Sequence, residues 1–485
     1  MSIKTFNFTF IKILIVCLPF FLITGSFLSD LSCTLIGVLF LLHCSFTKNF
    51  KEYKNIFFFY FFLIFIYINL NSLLFSFDLK KSLETSFAFV RIILFFFALS
   101  FFFRKFNVLK KYFLFSFLFF ILILLVDSLY QFFIGHNLLG VAPVDNSRIT
   151  SFFSKQIMGS YVSRMLPLAI GICFLLNFKT KINLALIFIC SILIILSGER
   201  LSFTYLFMFI IFYLIIDFNK KYFFYFISLF CLLFIFLFFY NSKNIDRIFL
   251  HTFHQLNEKR NTVTFLSYRH ILHYETAYNM FLDKKLTGHG LKSFRYLCDD
   301  PKYSVSDKIV KDIKEIGKAV RSPIDGIINF TNKVKNNVSN VDVVLKSDSG
   351  EILDHIPASH TFYPLVVNGS YVSKGELIFY TYEFQNGCNT HPHNIYLQFL
   401  SELGFVGFAL FVFMFFYIFF NLLLLIFKHF KKSISIKEKC MASILFGLFI
   451  SMFPLFPSGN YFNNWLLIIT YLPIGFYISL VNRND

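Results

Sequence analysis

The sequence predicts an all-α polytopic membrane protein of about twelve transmembrane helices, with a large outer loop that carries a small β-rich, barrel-sandwich-like insert. Three observations predict it. Of the 485 residues, 57% are hydrophobic and only 15% charged, and the apolar runs repeatedly reach the length of a bilayer crossing. The basic residues fall in short loops on alternate sides of those runs. One segment, 241–395, breaks the pattern with polar, glycine-punctuated sequence. The 77 phenylalanines carry no functional weight, because at lipid-facing positions almost any large apolar side chain serves.

Taken in order, the expected spans are 10–28, 30–46, 55–77, 83–103, 112–134, 157–177, 182–198, 201–217 and 222–240. After the outer segment come 396–427, 440–457 and 461–480. The chain therefore divides into N-terminal membrane helices (1–240), an outer loop (241–395) and C-terminal membrane helices (396–485). With the N-terminus in the cytoplasm, the basic loops KNFKEYKN, FRKFNVLKK, FKTK, FNKK and KHFKKSISIKEK all become cytoplasmic, as does the C-terminus. The first apolar run lacks a small-residue cleavage site, so it reads as a span rather than a cleaved leader. The net charge of +18 follows from these loops, and nucleic acid is excluded as the partner in favour of the bilayer.

Four stretches then lie outside: HNLLGVAPVDNSRITSFF, SGER, the 241–395 segment and PSGNYFNN. Polar residues concentrate there, so the outer face is the expected working face. Seven of the nine cysteines sit in or beside apolar runs, where cysteine behaves as a small hydrophobe. Cys298 and Cys388 lie in the outer segment, where an oxidising compartment favours a disulfide over two free thiols.

Within that segment, 245–297 reads as helical, with apolar positions of RHILHYETAYNMFLDKKL at helical spacing before the breaker TGHG. KIVKDIKEIGKAV reads as a short basic amphipathic helix. The β-rich insert, 301–386, contains SPIDGII and VNGSYVSKGELIF, which resemble the two halves of a biotinyl- or lipoyl-like module. Lys346 is not in the hairpin context of a modified lysine, which argues against a swinging-arm carrier. The simpler reading is a β domain that shields or orients the site.

The residues able to do chemistry at the outer edge are Arg148, Arg164, Arg200, Arg269, His270, His273, Glu275, His289, Arg295, His391 and His393. An arginine at the membrane edge forks onto two phosphate oxygens and stays charged in a low dielectric. Arg200 ends ILIILSGER, where it either grips an anion or snorkels to the interface. Arg269 opens a helix-like run near Glu275, Arg148 and Arg164 flank the sixth span, and Arg295 reads as structural. Histidine titrates near neutral pH and suits a general base. His393 directly precedes Asn394 at a helix start. Metal binding through His391 and His393 is disfavoured, since a separation of two places them on different helix faces and no ligand set accompanies them. Asp299 and Asp300 read as a loop.

SGER at the end of a span, SYRHILHYETAYNMFLDKKLTGHGLKSF, and HPHNIYLQFLSELGFVGF closing a long outer loop together resemble the O-antigen ligase and polymerase superfamily. The resemblance runs from about residue 140 to 480, and the insert departs from the commoner pattern. It implies a metal-independent glycosyltransferase without cofactor, facing the periplasm from the bacterial inner membrane. The implied donor is a glycan on undecaprenyl pyrophosphate, and the implied acceptor is lipid A-core, another glycan or a protein. By position, the resemblance makes His393 the catalytic base and Arg200 and Arg269 the pyrophosphate ligands, with His391, Asn394, Arg148 and Arg164 as further substrate contacts. A lipid-linked glycan transporter is the alternative from another class; it would spread polar residues through the spans.

Overall fold

The computed structural model describes residues 8–143, 148–217, 219–225, 227–228, 230–231, 248, 268–303, 318–335, 338–347, 349–356, 362–364, 366–381 and 387–481. Its membrane body is built from α1 (Thr9–Thr24), α2 (Ser26–Thr47), α3 (Ile56–Phe75), α4 (Leu79–Lys105), α5 (Asn107–Ile134), α6 (Met158–Leu175), α7 (Thr180–Leu196) and α8 (Arg200–Ile216). After α9 (Tyr268–Asp283) and the strands come α10 (Ile395–Lys431), α11 (Ile436–Ser451) and α12 (Asn464–Val481). Every expected span except the ninth coincides with one of these helices; the ninth, 222–240, lies largely outside the described residues, as does 245–267 apart from residue 248. By length and composition, seven helices among the described residues can cross a membrane, and α1, α7 and α8 are shorter apolar helices. The chain is a multi-pass membrane protein.

Local chemistry starts these helices where it should. Asn55 and Asp78 cap α3 and α4 by accepting from Phe58 N and Lys81 N, and Ser435 and Glu438 form a capping box on α11. Depth then separates them. In α6, 89% of the apolar window is buried, against 22% in α3, which makes α6 central and leaves the α3 phenylalanines to lipid. A polar side chain on α6 must therefore find its partners inside the protein. α6 packs against α7, α8 and α11, while α4 packs against α2, α3 and α12.

Two expectations change here. The continuous apolar run 396–427 is not one uninterrupted helix: Gly404 leaves helical geometry at φ +65°. The TGHG loop docks into that break. His289 N and Gly290 N donate to Ser401 O (3.1 Å) and Glu402 O (2.8 Å), and Phe405 N donates to Lys285 O (2.8 Å). Gly288 abuts the backbone of 402–404 and Gly404 that of Leu286 and Thr287, with no room for a Cβ and φ of +65° at each, so both positions require glycine. The amphipathic helix expected at KIVKDIKEIGKAV lies outside the described residues over 308–317, and only its end is corrected: Lys318–Val320 belong to a strand, paired to Thr381, Tyr380 and Phe379.

The insert holds two sheets, β1 (Lys318–Arg321), β7 (Leu377–Thr381), β5 (Phe362–Pro364) in one, and β4 (Ile352–Ile356), β3 (Val338–Lys346), β2 (Gly326–Lys335), β6 (Tyr371–Val372) in the other, each in spatial order. SPIDGII and VNGSYVSKGELIF meet: Ile328 N donates to Ser370 O, Gly369 N to Ile328 O, and Ser322 N to Glu376 O. Ile328, Val343, Leu345, Val372 and Ile378 form their shared apolar core. Lys346 sits in the β3 ladder opposite Ile327 and Ile352.

Candidate functional site

Residues 387–394 form an irregular loop that enters α10. Several elements hold it from outside. Cys298 and Cys388 are joined by a disulfide, with Cα atoms 4.9 Å apart. His273 Nδ1 lies 2.8 Å from Gly387 O, and Gly387 packs so closely on Leu272 and Thr276 of α9 that a side chain has no space. Asn394 caps α10, accepting from Tyr396 N (2.9 Å) and Leu397 N (3.1 Å), while its Nδ2 donates to Pro454 O at 2.9 Å.

Between these anchors His393 adopts φ +56°, a left-handed conformation costing about 1–3 kcal/mol that persists only when neighbours impose it. Ser458 N donates to its carbonyl at 2.8 Å and Tyr274 Oη at 3.4 Å. The strain aims the ring. Asn389 Oδ1 accepts from Thr390 N at 2.7 Å, which turns its Nδ2 toward His393 Nε2 at 3.0 Å. An amide donor marks Nε2 as the nitrogen that carries the lone pair.

Three more imidazoles surround this ring. The centroids of His391, His273 and His270 lie 4.1, 5.2 and 5.6 Å from that of His393. His391 and His393 are thus not on different helix faces; the loop sets their rings side by side, contrary to the argument from helical spacing. Burial holds the His391 imidazole down at about pH 4, helped by the nearby His273, Lys292 and Arg295, so it is neutral at pH 7. Arg295 donates to Thr390 O at 3.5 Å and so supports the loop.

Beneath the loop lies a buried polar chain. Gln398 Nε2 donates to Glu402 Oε2 and Asn460 Oδ1, each at 3.0 Å, and Lys292 Nζ donates to Phe462 O (3.0 Å) and Asn460 Oδ1 (3.3 Å). Burial lowers the Lys292 ammonium to about 8, opposed by the Glu402 carboxylate. This chain ties three segments together: the TGHGLKS loop, the start of α10 and the PSGNYFNN loop.

A second polar cluster holds the arginines of α6 and the loop before it. At the start of α6, Gly159 N and Ser160 N donate to the two Glu199 carboxylate oxygens at 2.8 and 3.0 Å, and Ser202 Oγ donates at 3.1 Å. Burial nonetheless pushes the Glu199 carboxyl upward, against those bonds and the pull of Arg148 and Arg164. Arg164 donates to Ser160 and stacks over the Tyr205 ring at 5.3 Å; Arg148 donates to Gln156. Tyr205 packs on Phe456 at 5.7 Å, in the same loop that holds His393 and Asn394. A short aromatic bridge therefore links Arg164 to the histidine loop.

Arg200 is the first residue of α8, directly after Glu199, and Arg269 is the second residue of α9. Asp299 and Asp300 form a turn, with Asp300 Oδ1 accepting from Lys302 N. Sequence reasoning missed Asn389, two residues before the HPHN motif, and Glu199, inside SGER. An Asn four residues before His393 is the only trace of the first; the second shows nothing, because its partners are some forty residues away.

A family model described as O-antigen ligase matches residues 185–312 and supports the O-antigen ligase and polymerase superfamily. Arg200 and Arg269 lie inside the match; His391, His393 and Asn394 lie beyond it. No curated protein and no solved structure matches the chain.

Proposed function

We propose that the chain is an O-antigen ligase-type glycosyltransferase that moves a glycan from undecaprenyl pyrophosphate to lipid A-core at the periplasmic face of the bacterial inner membrane. The observation that carries the reading is His393, held in a strained backbone at the mouth of α10 with Nε2 facing an amide donor. A base so placed exchanges the Asn389 amide for an acceptor hydroxyl. His393 Nε2 takes the hydroxyl proton as the oxygen attacks the anomeric carbon; the carbon–oxygen bond to pyrophosphate breaks with inversion, and undecaprenyl pyrophosphate leaves.

Pyrophosphate is already a good leaving group, so the site has to supply positive charge more than acid catalysis at that end. Arg200 and Arg269 supply it, and Arg148, Arg164, His391 and Asn394 shape the substrate's surroundings. No cofactor or metal takes part in this scheme. A polymerase or a protein O-oligosaccharyltransferase is the alternative reading, since these enzymes share the proposed chemistry and differ in acceptor.

Purified protein incubated in EDTA with an undecaprenyl-pyrophosphate glycan and lipid A-core tests the assignment. Glycan-modified lipid A-core is the expected product. Chain lengthening in the donor-only control makes the protein a polymerase instead, and no reaction with either shifts the assignment to a protein acceptor or to transport.

A further inference from the structure

Helix α6 has no cap of its own. Ile157 occupies its N-cap position and has no side-chain acceptor for the first free N–H groups. The acceptor comes instead from SGER, 40 residues along the chain, where Glu199 Oε1 accepts from Gly159 N at 2.8 Å. Oε2 accepts from Ser160 N at 3.0 Å. Glu199 is itself the N-cap residue of α8, yet its side chain makes no capping bond to that helix and takes only the Ser202 hydroxyl there, at 3.1 Å. One carboxylate therefore caps the neighbouring helix and fastens the starts of α6 and α8 together. A negative group is favourable at a helix N-terminus, so charge and geometry agree.

Gly159 supports the same reading from the other side. A Cβ there would lie 2.4 Å from Ser197 Oγ, 3.1 Å from Ser202 Cβ and 3.2 Å from Glu199 Cδ, so the two helix starts meet this closely only with glycine at 159. The clamp carries an arginine on each flank. Ser160, whose N–H is held by Glu199, accepts from Arg164 through its carbonyl at 3.3 Å and through its hydroxyl. Arg164 is only 7% exposed, and its stacking on Tyr205 adds to the hold of that turn. Arg200 directly follows Glu199 as the first residue of α8. Any shift of the α6 start against the α8 start changes the spacing of these two arginine positions.

We propose that Glu199 is a positioning residue for donor binding: without touching the substrate, it sets the spacing of Arg164, through Ser160, against Arg200. The role rests on the transferase reading, in which Arg200 supplies charge to the pyrophosphate and Arg164 borders it.

The test is a binding titration of full-length detergent-purified protein with the undecaprenyl-pyrophosphate glycan, with transfer to lipid A-core measured beside it. Glu199→Gln keeps the side-chain shape but offers one acceptor oxygen to two N–H donors, and Gly159→Ala keeps the carboxylate but forces the helix starts apart. Both should weaken donor binding by about 10–100-fold, the scale on which residues that orient ligating groups act, with KM for lipid A-core changed less than about 2-fold. Asp217→Asn controls for general loss of stability. It lies about 25 Å away beyond the other end of α8, accepts from Thr180, Tyr213 and Lys439, and should lower the melting temperature with donor binding unchanged. Unchanged donor binding in both test variants would refute the role, and equal loss in Asp217→Asn would assign the effect to instability instead. Tighter binding in Glu199→Gln with no change in Gly159→Ala would also overturn it, making Glu199 an anion that competes with the donor. Wild type that binds donor without transferring it contradicts the transferase reading alone, and the variants' binding still decides the role of Glu199; wild type that binds no donor overturns both.

Discussion

His393 and Arg164 sit at the same end of the bundle, yet one is positioned by distant parts of the chain and the other by its own helix. The histidine loop is pinned by a disulfide, by α9, by Ser458 and by the cap of α10, so that a residue rarely left-handed is kept at φ +56°. Arg164 bonds back to Ser160 one turn earlier, and Glu199, from the start of α8, brings its carboxylate to the N-terminus of the same helix. The first arrangement fixes the direction of one lone pair. The second keeps positive charge inside a low-dielectric body without fixing a ligand. A proton acceptor needs direction and an anion site needs charge, which is why we propose the base at His393 and an anion contact at Arg164.

The contrast breaks most sharply at His393. Asparagine tolerates left-handed backbone, so His393→Asn should keep the loop and its melting temperature while lowering transfer by about 10²–10⁴-fold. Arg200→Lys keeps the charge but loses the fork; turnover should fall by about 10²–10³-fold with the protein still inserted, and unchanged turnover would return Arg200 to an interfacial role.

Opening the clasp acts on the histidine side alone. Cys298→Ser releases a bridge spanning 90 residues and should cost about 2–4 kcal/mol in chemical unfolding, read beside the loss of the mobility shift on non-reducing gels. Transfer should fall less than in His393→Asn, because α9 and Ser458 still hold the loop.

The smallest effect is a pH dependence. The folded His391 pKa is depressed from 6.5 to about 4, so the unfolded chain binds more protons between those values. The resulting stability is complete above about pH 6.5 and is lost as pH falls towards 4. His391→Gln should remove that part of the decline in melting temperature, and an unchanged profile would show that His391 is not buried in its neutral form.

Much of this was legible in the chain. Apolar run length located the membrane helices, HN marked the α10 start because Asn is a strong cap, and the two outer cysteines stood apart from the membrane ones. The break at Gly404 was hidden in a continuous apolar run, since it depends on backbone groups of residues 285–290. Lys318–Val320 ended a run read as helical, and their pairing with β7 places them in a strand instead. The direction of His393 Nε2 depends on Asn389 across an irregular loop, where residue spacing carries no geometry.

The most direct measurement is single-turnover transfer from a purified undecaprenyl-pyrophosphate glycan to lipid A-core in EDTA, by wild type and His393→Asn side by side. Both proteins should first show the closed disulfide. A wild-type rate insensitive to EDTA, with a His393→Asn rate lower by at least about 10²-fold, is the result expected of a histidine base. Equal rates in the two proteins, or a wild-type rate abolished by EDTA and restored by a divalent cation, would contradict it.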